Sequence, residues 1–241
     1  MKLVVAVAAL VVHLVDPDVA IHSAAVYAID NANTRFQVML RTDSTHDQFP
    51  TLELGVRKLK TNGYGGDSTG TFVDLEVGRA DAAAIAAAFA VPLHERARLD
   101  AGMRYTWRFP TAIGKGAPAI VTLVATNTGT APVGFEIGGR QRGPRDNRFA
   151  FTAARDGVAL PITDAPDFGG LSYFKRLGPG ESAEVSADLR GWIALDRPGR
   201  YAITATHETD LSKGGEMPSY PDGAADVWTI APSGQAAIVV R

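Results

Sequence analysis

The chain has 241 residues, no cysteine and a formal net charge of −2, with acids and bases interspersed. The lack of cysteine excludes disulfide frameworks, thiolate zinc sites and cysteine nucleophiles. Because no basic stripe is present to neutralise phosphates, nucleic acid is not an expected partner. Hydrophobic residues make up 46% of the chain, which is ordinary for a globular protein with a sizeable core.

The first apolar segment, Leu3 to Val12, follows Lys2 and ends shortly before Asp16-Pro17-Asp18. A charged start and a short apolar run are typical of a signal peptide, although no good small-x-small cleavage site follows. A valine-rich run that stops at a turn is equally typical of a buried strand. Residues 1–15 are therefore a signal peptide, which predicts a secreted, periplasmic or cell-surface protein, or a first strand, which allows a cytoplasmic one. The run is too short to span a bilayer, so we expect no integral membrane span.

Strand-like runs recur along the chain between turns rich in Gly, Pro, Asn and Asp. Phe36–Leu40 and Phe72–Val77 alternate apolar and polar residues, as half-buried strands do. Arg104–Phe109 alternates so that its three aromatic residues share one face. The predicted strands are Ala24–Ile29, Phe36–Leu40, Leu52–Leu54, Phe72–Val77, Arg104–Phe109, Ile120–Thr126, Val133–Ile137, Arg148–Ala153, Ser182–Leu189, Tyr201–His207, Val227–Ile230 and Ala236–Val240.

One segment is rich in alanine instead of β-branched residues. Asp81–Ala90 begins with an acidic residue and stops before Pro92, which predicts one short helix near 81–90. We expect this helix to cross between two sheets. Many short strands with a single helix predict an all-β protein with an immunoglobulin-like antiparallel β-sandwich fold.

A weak internal repeat indicates two lobes. Val38–Thr45 aligns with Val121–Thr128, either by duplication or because two β-patterns coincide by chance. Small residues and a proline at Gly114–Pro118 interrupt the strands and are typical of a boundary. We therefore expect two tandem sandwich lobes, formed by residues 1–114 and 115–241.

Three turn motifs in the second half carry a resemblance to known modules. Val121–Val133 contains an Asn-Thr-Gly turn before a proline-initiated strand, Arg176–Ser182 contains Leu-Gly-Pro-Gly-Glu-Ser, and Arg197–Ile203 contains Pro-Gly-Arg-Tyr. Over roughly residues 117–241, the chain resembles bacterial immunoglobulin-like modules of the intracellular-proteinase-inhibitor family and of the non-catalytic domains of deuterolysin-like metallopeptidases. The resemblance implies a fold and suggests proteinase inhibition. It transfers no functional residue, because turn formers and core positions are what the modules share.

A possible catalytic motif lies at Gly66–Gly70, where Ser68 occupies the serine position of G-x-S-x-G. A nucleophile elbow needs a strand before this motif and a helix after it. Here a glycine-rich loop precedes it and a strand near Phe72 follows, which favours a hairpin loop. His94 or His207 is a candidate base only if the fold brings one of them near. We therefore do not expect an enzyme, and a serine hydrolase that uses Ser68 is the alternative.

Metal sites are weakly indicated. His94-Glu95 and His207-Glu208 both lack the second histidine that a zincin helix places three residues after the glutamate. The five histidines show no ligand spacing and are expected on the surface or at strand edges. Acidic loops at Asp43–Asp47, Asp164–Asp167 and Asp222–Asp226 offer oxygen ligands for calcium, but Asp also favours turns for its own hydrogen bonding. We expect no metal and no cofactor, and calcium is the alternative.

Aromatic residues in or beside Gly- and Pro-rich loops are candidates for contact with a protein or glycan, unless the loops fold back and bury them. These candidates are Tyr64, Phe168, Tyr173, Phe174 and Tyr220. The sequence thus predicts a non-enzymatic binding or accessory protein whose loops meet a protein or polysaccharide partner. A further alternative is a self-assembling cell-surface subunit that donates its N-terminal strand to a neighbour's sheet edge.

Overall fold

The computed structural model shows an all-β protein, and the predicted sandwich-type fold with one short helix is confirmed for the residues that it describes. The described parts of the chain form two compact units, residues 1–97 with 218–226 and residues 98–217 with 227–241. Within them, no helix has the length and apolar character needed to cross a membrane. The described residues are 12–14, 21–42, 51–54, 56–67, 70–143, 145–164, 166, 169–216, 218 and 223–241.

The first unit contains two sheets and the helix. One sheet has five strands in the order β6-β7-β3-β2-β8, and the other has three in the order β1-β4-β5. A one-turn 3₁₀ helix at Ala224–Asp226 also belongs to this unit. The elements are β1 (Val12–Leu14), β2 (Ile21–Ala28), β3 (Arg35–Thr42), β4 (Thr51–Leu54), β5 (Arg57–Lys60), β6 (Gly63–Asp67), β7 (Gly70–Gly78), α1 (Arg79–Ala88) and β8 (Leu93–His94).

Alternation along the strands builds the core of the first unit. Phe36, Val38 and Leu40 of β3 are fully buried, as the period of two predicts. Leu52 and Leu54 of β4 join the same core, so the three-stranded sheet contributes to it as well.

Helix α1 buries one side against this core through Ala82, Ile85 and Ala86. It connects β7 to β8, and both strands lie in the five-stranded sheet. The expected crossing between two sheets is therefore wrong. The reason is that β8 pairs in parallel with β2, and a parallel neighbour has to be reached by a crossover above the same sheet.

The second unit contains the remaining strands. A 3₁₀ turn at Asp100–Gly102 precedes them, and another, at Leu189–Gly191, follows β18. The strands are β9 (Met103–Arg108), β10 (Ala112–Ile113), β11 (Ile120–Asn127), β12 (Val133–Gly138), β13 (Gln141–Arg142), β14 (Arg145–Asp146), β15 (Phe149–Arg155), β16 (Val158–Ala159), β17 (Ser172–Leu177), β18 (Ser182–Asp188), β19 (Gly199–His207), β20 (Thr209–Lys213), β21 (Val227–Ile230) and β22 (Ser233–Val240).

Two layers enclose the core of the second unit. One layer is the sheet β18-β11-β9, and the other includes the sheet β10-β22-β19-β15-β16. Inward residues of both layers, such as Leu123 of β11 and Tyr201 of β19, belong to one buried cluster. β9 precedes residue 114 but pairs with β11, so it lies in this second unit. Its predicted aromatic face packs on the core through Tyr105 and Trp107.

A buried amide joins two of the turn motifs. Asn127, which is fully buried, donates its side-chain N–H groups to the carbonyls of Ala131 (2.8 Å) and Leu177 (2.9 Å), and its Oδ1 accepts from Gly129 N (2.9 Å). Its backbone carbonyl also accepts from Gly180 N at 2.7 Å. All polar groups of this amide are satisfied, as burial requires. The Asn-Thr-Gly and Leu-Gly-Pro-Gly motifs therefore form one joint.

The third motif forms a tyrosine corner. Tyr201 is fully buried at the start of β19, and its hydroxyl donates to the carbonyl of Arg197 at 2.8 Å. A tyrosine that bonds back to the backbone a few residues upstream at this place is a hallmark of immunoglobulin-like sandwiches. The hydroxyl lets a large aromatic body fill the core without an unsatisfied polar atom.

Two long strands of the second unit are interrupted at the same level. The first long strand consists of β19 and β20, which are separated only by Glu208. The second consists of β12, which pairs with β20, and β15, which pairs with β19, and here residues 139–148 lie between the two parts. The β13–β14 hairpin lies within this inserted segment. Above the interruption the sheet continues in the order β17-β12-β20-β21, so that β17 forms its edge.

Candidate functional site

The predicted contact residues fall partly outside the described structure. Ser68, Phe168 and Tyr220 lie outside the described residues, and so does the side chain of Tyr64. The backbone of Tyr64 lies in β6, so this position belongs to a strand and not to the expected loop. For these positions the proposed binding or catalytic role stays a prediction.

The segment around the G-x-S-x-G motif is a hairpin. β6 pairs with β7 in antiparallel register, and Asp67 lies opposite Gly70. The motif is thus flanked by two adjacent strands, whereas a nucleophile elbow needs a strand, a tight turn and then a helix. Of the two candidate bases, His94 lies in β8 of the first unit and His207 ends β19 of the second unit.

His207 is a core residue, so the expectation of a surface or strand-edge position was wrong for it. Its side chain is 1% exposed, and its ring lies 4.5 Å from that of Phe149 and 6.3 Å from that of Phe135. Neither ring nitrogen has a hydrogen-bond partner in the part of the chain that the structure describes. Burial, with a smaller contribution from the Arg148 cation, lowers the pKa of His207 to about 3. The imidazole is therefore a neutral, space-filling ring. The burial of His207 was not evident from the sequence, because the next residue, Glu208, is charged.

Candidate metal ligands do not converge within the described residues, where no group of three or more His, Asp or Glu side chains is placed to hold an ion. Only part of the predicted acidic loops lies within the described residues. Asp164 and Asp226 are described, whereas 43–47, Asp167 and Asp222 are not. Calcium binding by those loops stays a hypothesis.

Tyr173 and Phe174 lie in strand β17 and not in a loop. The sequence Ser172–Leu177 pairs antiparallel with β12, which places Tyr173 opposite Ile137 and Phe174 opposite Glu136. Neighbouring strand residues point to opposite faces, so the two rings do not form one surface. Tyr173 is 58% exposed, while Phe174 is half-buried, with its ring over Gly134. Of the five predicted contact residues, Tyr173 is thus the one that the described structure shows exposed.

Leu171, just before β17, is an exposed apolar residue that was not among the predicted contact residues. Its side chain is 95% exposed, although its backbone is held firmly. The carbonyl of Leu171 accepts from Gly139 N at 3.1 Å, and Gly170 N donates to the carbonyl of Gly139 at 2.6 Å. The sequence pattern did not indicate this exposure, because Ser172–Leu177 does not alternate apolar and polar residues.

Glycines make this close chain crossing possible. Gly138 has a φ of +84°, and a Cβ atom there would lie 2.4 Å from the carbonyl oxygen of Leu171. Gly139 has a φ of +101°, and a Cβ atom there would lie 2.6 Å from the Arg148 guanidinium. L-residues rarely adopt such φ values, so both positions require glycine. The crossing fixes the direction in which Leu171 points.

We call Leu171 together with β17 the Leu171 edge. It combines two exposed apolar side chains with two exposed cations, Lys175 and Arg176. Lys175 donates to the carbonyl of Ser182 at 3.1 Å, and the aliphatic part of Arg176 lies over Gly215. Neither cation forms an ion pair with a carboxylate among the described residues. One side of β17 pairs with β12, and no described strand pairs with its other side.

A buried ion pair lies at β12, the strand that pairs with β17. Arg148 Nη2 lies 2.8 Å from Glu136 Oε2, and the two side chains are 13% and 10% exposed. The two groups meet as an ion pair and not as an aligned hydrogen bond. Arg148 also donates to the carbonyls of Gly138 and, at 3.4 Å, of Glu208. One guanidinium therefore joins both interrupted strands.

No protein-family model matches the chain, and no curated protein is significantly similar to it. The resemblance to proteinase-inhibitor and metallopeptidase modules therefore stays a prediction.

We predict that Arg148→Met lowers the free energy of unfolding by about 3 kcal/mol, because it leaves the Glu136 carboxylate buried without its cation. Urea denaturation measures the loss. The double variant Glu136→Leu, Arg148→Met should lose less than the single variant, since no buried charge remains. Arg108→Met is the control: its exposed pair with Glu184 should contribute less than about 1 kcal/mol. Equal losses for Arg148→Met and Arg108→Met would contradict the assignment.

We predict that His207 makes the protein less stable in acid. Its pKa is about 3 in the folded state, below the unfolded value of about 6.5, so the unfolded state binds more protons and stability falls as the pH drops below about 6.5. At about pH 4.5 the cost is on the order of 3 kcal/mol.

Urea denaturation at about pH 7.5 and about pH 4.5 tests this prediction. His207→Leu should lose less stability on acidification than the wild type. Leu123→Ala on β11, which removes apolar contact but no titrating group, should lose the same free energy of unfolding relative to the wild type at both pH values. If His207→Leu and the wild type lose the same amount, His207 is not the acid-sensitive group.

Proposed function

We propose that this protein is a non-enzymatic binding or accessory protein that holds a protein partner at the Leu171 edge. The observation that carries the proposal is an exposed leucine on an anchored backbone: Leu171 is 95% exposed while hydrogen bonds to Gly139 and through Gly170 fix its main chain. Tyr173, on the same strand, adds a ring that offers apolar area and a hydroxyl. Large side chains held on a rigid scaffold lose little conformational entropy on binding, which makes them effective anchors.

The strand edge favours a protein over a polysaccharide. The unpaired side of an edge strand presents main-chain N–H and C=O groups that are complementary to another polypeptide backbone. A glycan platform would instead use aromatic faces, and Tyr173 is the one ring that the described residues show exposed at this edge. A proteinase as the partner is suggested by the family resemblance alone.

The serine-hydrolase alternative has less support. The hairpin β6–β7 gives Ser68 neighbours on two antiparallel strands, without the following helix that exposes and activates a nucleophile in an elbow. Assembly from identical subunits through the Leu171 edge is disfavoured by charge, since Lys175 and Arg176 would meet the same cations of a second copy. The proposal includes export, which rests on the apolar run Leu3–Val12.

Site-specific photocross-linking tests the proposed function. We predict that a benzoylphenylalanine placed at Tyr173 forms a discrete protein adduct in the organism that makes the protein, recovered with the envelope or the medium. Leu171→Ser should weaken the adduct, because it removes the neighbouring anchor. A photoreactive residue at Val158, which is 69% exposed on β16, is the matched control and should give no adduct. Equal labelling from both positions, or none from Tyr173, would contradict the proposal.

A further inference from the structure

We propose that the Leu171 edge binds an extended, acidic segment of a partner protein, which adds beside β17 as a further strand. This inference rests on the proposed function and specifies the chemistry of the partner. It follows from three properties that coincide at this edge: no described strand pairs with one side of its main chain, it exposes apolar side chains, and it carries cations that form no ion pair with a described carboxylate.

The first property is a strand long enough to pair. β17 spans Ser172–Leu177 and lies at the end of the sheet order β17-β12-β20-β21. Other edge strands of the second unit offer less. β16 and β10 have two residues each, and β21 has four, none of them exposed. β18 and β9 are long enough to pair, but neither exposes an apolar residue from its strand: the exposed residues are Ser182, Glu184 and Ser186 in β18 and Arg104, Thr106 and Arg108 in β9.

The second property is that exposed apolar side chains project from an ordered main chain. Leu171 and Tyr173 lie two residues apart, which places both on the same side of the extended chain. An added strand that ran along β17 would bring its own alternate side chains beside them, at the spacing at which cross-strand pairs interact. The two exposed side chains at this end of β17 would give such a strand an apolar surface to contact.

The third property is unbalanced charge. Lys175 and Arg176 are exposed and have no ion pair with a described carboxylate. The edge strand β5 of the first unit shows the contrast, because its cations Arg57 and Lys58 are already paired with Asp81 and Glu53. An incoming strand that carries glutamate or aspartate would neutralise Lys175 and Arg176, whereas a basic strand or a second copy of β17 would be repelled.

Fluorescence polarisation with labelled peptides tests this inference on the full chain. Lys175 and Arg176 are consecutive strand residues and point to opposite faces, so the probe needs carboxylates on both faces. The probes are a peptide in which pairs of valine alternate with pairs of glutamate, the same peptide with lysine in place of glutamate, and the glutamate peptide with a fully N-methylated backbone. We expect the glutamate peptide to bind at least about tenfold more tightly than either of the others, because the lysine peptide meets like charge and the N-methylated one has no donors.

A charge-reversed protein provides the second arm. Lys175→Glu, Arg176→Glu should invert the preference so that the lysine peptide binds about tenfold more tightly than the glutamate peptide. Arg108→Glu, which changes an exposed cation away from β17, is the matched control and should leave the preference unchanged. We expect both variants to keep the fold because the substituted side chains are exposed, and a circular dichroism melt of each checks this.

Three outcomes would overturn the inference. The first is equal binding of the glutamate and lysine peptides, the second is full binding of the N-methylated peptide, and the third is a concentration-dependent dimer that forms through β17 and excludes the peptides. The first two outcomes leave the photocross-link from Tyr173 to a partner protein unaffected, so they overturn the strand-addition chemistry alone. The dimer would instead give an adduct of twice the mass of the chain, which contradicts the proposed function as well.

Discussion

A single guanidinium holds together the part of the second unit on which the candidate site depends. At the level of Glu208 one long strand is broken, and the neighbouring strand is interrupted by a ten-residue segment, 139–148. Such a break removes the strand partner of some main-chain carbonyls, and a buried carbonyl without a hydrogen bond costs free energy. Arg148 supplies the missing donors to the carbonyls of Gly138 and Glu208, and the Glu136 carboxylate balances its charge.

The exposed edge follows from this junction. Because the guanidinium lies across Gly139, that residue must lack a Cβ atom, and the glycine pair then allows the chain at 169–171 to cross close to the end of β12. The crossing is tight enough that a side chain on Gly138 would collide with the carbonyl of Leu171. A buried electrostatic contact thus determines where an exposed apolar side chain points. Stability and recognition share the same few residues in this region.

Local patterns predicted most of the fold, because they report which face of a strand is buried. The alternation in Arg104–Phe109 correctly placed the aromatic residues on one face, which packs on the core, and the alanine-rich segment predicted the helix to within two residues at each end. The positions of the turn motifs were predicted, but the contact between two of them was not. Nothing local reveals that the buried amide of Asn127 joins a turn to a loop fifty residues away, because that contact is a property of tertiary packing.

The candidate site was harder to predict for the same reason. Tyr173 was named as a candidate contact residue, with burial left open, and Gly and Pro nearby made its strand look like a loop, since the pairing of Ser172–Leu177 with β12 is non-local. His207 was misplaced because a histidine beside a glutamate resembles a surface position, whereas the outcome depends on Phe135 and Phe149 enclosing it. Leu171 was missed because exposure of an apolar residue is visible only once its backbone anchors are known.

Amide hydrogen exchange, measured residue by residue by NMR, tests most directly whether β17 is an ordered strand with one side open to a partner. In an antiparallel edge strand, alternate amides bond to the neighbouring strand and the others face solvent. We predict slow and fast exchange in strict alternation from Ser172 to Leu177. Uniformly slow exchange would mean that the chain itself covers this edge, and uniformly fast exchange would mean that β17 is not a stable strand; either result contradicts the account.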